Sequence, residues 1–168
     1  TFTFTMDRSA RFASGNPVTA HDAEYSLRRI VKMKSRSAFI ITQFGFTPEN
    51  VDEMIKATDD DTLVVKIGEP YAPSFFLYCL SSYVGAIVDS NTVKAHEVNG
   101  DFGNAWLKSE NSAGSGPFVL TKWAPKESIT LSRNDNFWGT APTLKRIVME
   151  LGGKSALKYL IYVEGVPF

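Results

Sequence analysis

The most constraining part of the sequence is residues 111–139, NSAGSGPFVLTKWAPKESITLSRNDNFWG. It opens with small residues that end at Pro117; glycine permits backbone shapes that other residues avoid, and proline fixes φ. Residues 118–123 are β-prone and, after a four-residue turn, Ile129 and Leu131 alternate with polar residues as in a half-buried strand. The stretch therefore predicts a β-hairpin with Leu131 buried beneath it.

The composition of the 168-residue chain argues against several classes of protein. Eighteen basic residues balance eighteen acidic ones, so there is no charge excess that would indicate a nucleic-acid or acidic-membrane partner. No apolar run approaches the roughly 18 residues of a membrane-spanning helix. Two histidines and one cysteine, Cys79, indicate no strong metal site, no bound cofactor and no intrachain disulfide. The abrupt, strand-like beginning indicates a mature, trimmed or excised segment.

Periodicity and turn residues predict the elements that surround the hairpin. Thr19 to Asp22 reads as a capping box before an amphipathic helix. A second hairpin is predicted across the acidic turn Asp59 to Asp61. Residues 74–80 are apolar all round, which predicts a buried helix. Together these elements indicate an α+β fold, a mixed and mainly antiparallel sheet of hairpins packed with helices.

Four strings, in this order along the chain, support a resemblance to a known family. They are GNPVTA with the YSLRR that follows it, KIGEPYAPSF, GSGPF and RNDNFWG. The sequence is similar to the peptide/nickel-type solute-binding proteins, family 5, which are extracytoplasmic receptors of ABC importers. The resemblance implies one lobe of a class II (cluster C) periplasmic-binding-protein-like fold. It also implies capture of small peptides or similar solutes, delivery to an ABC permease, and a periplasmic or other extracytoplasmic, membrane-associated location.

The resemblance covers residues 1–151, which it assigns to the N-terminal lobe and mainly to its inserted subdomain. Full-length receptors are much longer, and their second lobe is not represented. Residues 152–168 are predicted to be a joint followed by a returning strand or a foreign tail. Ala13 and Ser14 replace the polar and acidic residues that the family usually carries, which predicts no polar role for that loop.

A ligand site is predicted from two serines and two aromatic residues. Ser112, Ser115 and the flanking glycine amides are expected to hydrogen-bond an extended peptide backbone, while Phe44 and Tyr83 supply apolar walls, as binding pockets combine both kinds of group. The alternative is that these loops are only structural. In the family, an acidic residue of the other lobe holds the amino terminus of the peptide, and no residue here matches it.

Other candidate chemistry is weaker. Residues 153–155, Gly-Lys-Ser, lack the earlier glycine that a phosphate-binding loop requires, because position 148 is valine. A hydrolase that uses Ser115 or His21 is disfavoured because neither belongs to an identifiable catalytic group. The sequence therefore predicts a non-enzyme. A ligand-sensing or regulatory domain built on the same lobe, without transport, is the alternative function.

Overall fold

The computed structural model describes residues 1–109 and 111–150, together with the backbone of residues 162–163. The elements, in chain order, are β1 (Phe2–Thr5), α1 (Ala20–Lys32), α2 (Phe39–Thr42), α3 (Val51–Met54), β2 (Ile55–Ala57), β3 (Thr62–Val65), α4 (Pro73–Leu80), a 3-10 turn (Tyr83–Gly85), α5 (Ser90–Ala95), α6 (Asn104–Leu107), β4 (Phe118–Ala124), β5 (Ser128–Arg133), β6 (Arg146–Glu150) and β7 (Tyr162–Val163). Apart from β7, the predicted joint and tail at 152–168 lie outside the described residues.

The strands form two sheets. The first sheet has the order β1-β3-β2 and the second has the order β4-β5-β6-β7, and every described strand pair is antiparallel. Both predicted hairpins are present, β2 with β3 and β4 with β5. The predicted α+β architecture of antiparallel hairpins and helices is therefore confirmed.

The hydrophobic core lies between the first sheet and the helices. Leu63 and Val65 of β3 are almost completely buried, and helix α1 packs over this sheet. Alternation explains the arrangement, because residues two apart on a strand share a face. The other large side chains of this core are Leu27, Val31, Ile41, Phe44, Phe46, Val51, Ile55, Phe76 and Val84.

The capping box at the start of α1 is present, as predicted. The Asp22 carboxylate reaches back and accepts hydrogen bonds from the Thr19 amide at 2.9 Å and from the Thr19 hydroxyl at 2.8 Å. Both halves of the capping box are therefore present. Asp22 is itself buried, so it fixes the helix start from within the fold.

Helix α4 corrects the expectation of a helix buried on all sides. Phe76 and Cys79 are buried, but Leu77 is 45% exposed and Tyr78 is 77% exposed. The described part of the chain covers only one side of α4, where Phe76 meets Phe44 and Phe2. Uniform apolarity in the sequence therefore did not reveal which side would be covered.

The second sheet has a β-bulge that alternation alone would not predict. Leu120 lies opposite Leu131, whereas Trp123 lies opposite Ile129, so β4 contains one residue more than β5 between these two pairs. The extra residue keeps Leu120 and Trp123 on the same face of the sheet. Leu131 was predicted to be buried, but it is only half-buried, because no described element covers this face as α1 covers the first sheet.

Candidate functional site

The loop that carries Ser112 and Ser115 is held by its backbone carbonyls. The carbonyl of Ala113 accepts a hydrogen bond from the Asp89 amide at 2.9 Å, and that of Gly114 accepts one from the Ala13 amide at 3.0 Å. The two serine hydroxyls make no hydrogen bond within the described residues. Ser112 is exposed and Ser115 is half-buried, so both hydroxyls are unpaired donors on a fixed loop.

Asp89 lies directly beside this loop and organises its surroundings. Its Oδ2 accepts hydrogen bonds from the hydroxyl of Ser14 at 2.7 Å and from the side-chain amide of Asn16 at 2.9 Å. Thr92 donates to the same carboxylate through its amide and its hydroxyl. Burial raises the pKa of Asp89, and the hydrogen bonds from Ser14, Thr92 and Asn16 outweigh that effect, so the pKa lies below its usual value. The prediction that the Ser14 loop has no polar role is wrong.

The two predicted aromatic walls lie in different places. Phe44 has no exposed surface, and its ring packs against Tyr71, Phe75 and Phe76 with centroid separations of 4.9, 5.4 and 5.0 Å. This core position offers no surface to a solute. Tyr83 is 70% exposed in the 3-10 turn after α4. The structure thus corrects the assignment of Phe44 as a wall of the ligand site. Tyr83 has an exposed ring that a solute can reach.

A separate cavity of about 500 Å³ lies along the outer side of α1, and none of the predicted site residues lines it. Its charged groups largely neutralise one another. Arg28 pairs with Glu24 on the same helix, and Lys32 pairs with Asp52 at 2.6 Å. Because both signs of charge are already paired, this cavity presents a mixed polar surface with no dominant charge.

Tyr25 forms part of that cavity and was not identified from the sequence as a site residue. Its hydroxyl oxygen is buried and has no hydrogen-bond partner in the described part of the chain. The Lys94 ammonium lies 4.8 Å from the centroid of its ring. Burial raises the pKa of Tyr25 because the charged phenolate is poorly solvated there, and nearby Glu97 raises it further. No local pattern marked Tyr25 as a site residue, because Lys94 comes from α5, a distant part of the chain.

The chain matches the family model described as bacterial extracellular solute-binding proteins, family 5 middle, over residues 1–157. It is 31% identical over 164 residues to a probable D,D-dipeptide-binding periplasmic protein, DdpA, of Escherichia coli strain K12, a match that covers 98% of this chain and 29% of that protein. The chain therefore belongs to the family 5 bacterial extracellular solute-binding proteins.

Solved structures show the same fold. The unliganded open form of MppA, a periplasmic murein tripeptide binding protein, superposes with a TM-score of 0.71 at 24% identity, covering 88% of this chain and 29% of that one. The Haemophilus influenzae OppA complex with the peptide RPPGFSPFR superposes with a TM-score of 0.67 at 25% identity. This match covers 81% of this chain and 27% of that one. This chain thus spans less than a third of the length of these relatives.

The relatives are periplasmic binding proteins by name. In the described part of this chain, every helix is too short or too polar to cross a bilayer.

Proposed function

We propose that this chain is one lobe of an extracytoplasmic solute-binding protein that serves an ABC importer and captures small peptides or related solutes. The observation that carries the proposal is the family match over residues 1–157. The names of the relatives support the choice of peptides as solutes and the periplasm as location. Residues 1–151 then belong to the N-terminal lobe, and the protein acts by binding and not by catalysis.

The proposed contact surface for the solute is the loop of residues 111–117. Ser112 and Ser115 offer hydroxyls that have no partner among the described residues, and the Asp89 cluster holds the loop in a fixed position beside α5. A fixed loop loses little conformational freedom when it binds a ligand, which favours affinity. Tyr83 is retained as a second, apolar contact.

Two-lobed receptors obtain affinity by hinge closure over the solute. A pocket of useful affinity buries most of the ligand surface. One lobe alone leaves the ligand partly in water, where an exposed ion pair contributes only about 0–1 kcal/mol. We therefore expect residues 1–168 alone to bind di- to pentapeptides with dissociation constants no tighter than roughly the millimolar range.

Isothermal titration calorimetry against a small peptide library tests the proposal. The library is titrated into residues 1–168 and into the longer receptor polypeptide that contains them. The longer polypeptide is expected to bind at least one peptide much more tightly than residues 1–168 do. The single variants Ser112→Ala and Ser115→Ala are each expected to weaken that binding. Ser81→Ala is the control, because Ser81 is exposed and its hydroxyl donates only to the Tyr78 carbonyl of its own helix.

A tight peptide complex of residues 1–168 alone would contradict the one-lobe assignment. Unchanged binding by the two loop variants would contradict the assignment of the loop. Uptake of the bound peptide by cells with and without the gene then tests coupling to transport. Binding without any effect on uptake would favour the sensing domain over the importer receptor.

A further inference from the structure

The cavity of about 500 Å³ beside α1 differs between its two sides. Where α1 faces α3, the charged side chains of the cavity are joined in ion pairs, such as that of Lys32 with Asp52. Where α1 faces α5, Arg29 and Lys94 line the cavity, and neither forms an ion pair with another described residue. We call this second part of the cavity the α5 side, and it is lined by Tyr25, Arg29, Asn91 and Lys94.

The α5 side presents hydrogen-bond donors that have no acceptor. The Nε atom of Arg29 donates to the Phe102 carbonyl at 2.7 Å, while its two terminal nitrogens make no hydrogen bond within the described residues. The Asn91 side-chain amide and the Lys94 ammonium make none either, and both residues are exposed. A planar guanidinium with its terminal nitrogens uncommitted binds carboxylates through two parallel hydrogen bonds.

The buried hydroxyl of Tyr25 is a further donor on this side. It has no hydrogen-bond partner in the described part of the chain, and Arg29 lies one helical turn further along α1. A buried hydroxyl without a partner is unfavourable, and an acceptor atom brought into the cavity would remove that cost. The Lys94 ammonium lies 4.8 Å from the centroid of the Tyr25 ring, on an exposed side chain that can move away without disturbing the core.

We propose that the α5 side of this cavity binds a small polar monocarboxylate, of the hydroxy-acid or sugar-acid class. Its carboxylate accepts hydrogen bonds from the terminal nitrogens of Arg29 and from the Lys94 ammonium, which leaves the ring and lets a carboxylate oxygen reach the Tyr25 hydroxyl. The two oxygens of a carboxylate have about four acceptor positions, which is sufficient for these donors. The site is separate from the proposed solute surface, because neither Ser112 nor Ser115 lines this cavity.

The charges near Tyr25 favour a single negative charge on the ligand. Burial raises the pKa of Tyr25, and the negative charges of Glu97 and Asp101 raise it further, while the positive charge of Arg29 lowers it. Two carboxylates thus act on the same place as the cations, and they repel a doubly charged phosphate more than a singly charged carboxylate. The remaining lining includes the side chain of Asn91, which suits a ligand with hydroxyl groups.

Thermal melts and calorimetry with gluconate and lactate test the proposal. Both probes are compared with sodium chloride at the same ionic strength, which controls for general screening of charge. A ligand that binds only the folded state raises the melting temperature as its concentration rises. Saturable stabilisation by gluconate beyond that of chloride is expected, whereas equal effects of gluconate and chloride would overturn the proposal. Tighter binding of inorganic phosphate than of gluconate would overturn the choice of a monocarboxylate.

Lys94→Gln tests the cation of the α5 side. Loss of this charge-assisted hydrogen bond should weaken gluconate binding by about tenfold. Lys66→Gln is the matched control, because Lys66 is exposed, forms no ion pair within the described residues and does not line the cavity. Equal gluconate affinities of the two variants would overturn the assignment of Lys94.

Tyr25→Phe separates a role in ligand binding from a structural role. Without gluconate, this variant should be at least as stable as the wild type, because it removes a hydroxyl that has no partner among the described residues. With gluconate, its gain in melting temperature should be smaller than that of the wild type. Tyr78→Phe is the control, because Tyr78 is exposed on α4 and should show the full gain. A full gain in Tyr25→Phe would overturn the contact between its hydroxyl and the ligand.

Discussion

The carboxylate of Asp22 accepts a hydrogen bond from the backbone amide of Ser90 at 2.9 Å, and this bond joins the first turn of α1 to the first residue of α5. The same carboxylate also holds Thr19, so one buried side chain caps one helix and positions another. Asp22, which belongs to a motif that predicts a local cap, thus also makes a long-range contact with Ser90.

We expect Asp22→Ala to lower the free energy of unfolding more than Thr19→Ala does. The first substitution leaves the amides of Ser90 and Thr19 without an acceptor, and each buried unpaired group costs about 1–3 kcal/mol. Loss of the capping threonine costs about 1 kcal/mol. Urea unfolding of both variants measures the difference, and equal losses would show that the bond from Asp22 to Ser90 contributes nothing.

Asp89 is expected to make stability depend on pH in the acid range. Its pKa is lowered in the folded protein by the hydrogen bonds that outweigh its burial, while the unfolded carboxyl has a pKa of about 3.9. The stabilisation is therefore present above the unfolded pKa and is lost as the pH falls through the folded pKa. The difference in unfolding free energy between wild type and Asp89→Asn should be constant near neutral pH and shrink below about pH 4.

Urea midpoints of these two proteins at several pH values measure this effect. Other carboxylates with lowered pKa values, such as Asp7 and Asp101, affect both proteins alike and cancel in the comparison. A difference that stays constant far below pH 4 would show that the folded protein does not favour the ionised form of Asp89.

Gly85 is expected to tolerate no side chain. A Cβ atom at this position would lie 1.9 Å from the carbonyl oxygen of Leu80. This oxygen belongs to the backbone, so it cannot move away by a change of side-chain rotamer. Gly85→Ala should therefore lower the free energy of unfolding by about 1–3 kcal/mol, as overpacking does. Gly114→Ala is the matched control, because a Cβ there meets nothing within 4 Å. Thermal melts that are equal for the two variants would contradict the close approach.

Local patterns in the sequence were sufficient to predict both hairpins and the cap of α1. These features depend on neighbouring residues, such as the alternation of Leu63 and Val65 or the spacing of Thr19 and Asp22. The order of strands in each sheet depends on pairings between distant residues. No local pattern in the sequence indicates which distant strands pair.

The features that sequence reasoning missed all depend on distant contacts. The exposure of Tyr78 depends on which neighbours cover α4, and the place of Trp123 depends on a bulge that is visible only against β5. The burial of Phe44 followed from packing with α4, so its aromatic character alone did not mark a binding wall. Ser14 contacts Asp89 across a long stretch of sequence, which explains why its polar role was missed.

Asn134 is expected to be the most sensitive residue of the RNDNFWG string. It is buried, its side-chain amide donates to the Gly116 carbonyl at 2.8 Å, and its side-chain oxygen accepts from the Asn136 amide at 3.0 Å. Its own amide donates to the Pro117 carbonyl, so it joins the end of β5 to the start of β4. Asn134→Ala leaves two polar groups without their partner, at a cost of about 1–3 kcal/mol each where they are buried.

Asp135→Ala is the control for this prediction, because Asp135 is the next residue and its side chain is 83% exposed. Its ion pair with Arg133 lies at the surface, where such pairs contribute about 0–1 kcal/mol. Urea unfolding should therefore show a large loss for Asn134→Ala and a small one for Asp135→Ala. The Gly116 carbonyl lies next to Ser115, so the Asn134 variant should also loosen the serine loop. Hydrogen exchange of the Asp89 and Ala13 amides, which donate to the Ala113 and Gly114 carbonyls of that loop, should then become faster. A loss of stability without faster exchange of these two amides would show that Asn134 supports the hairpin alone and does not position the proposed contact surface.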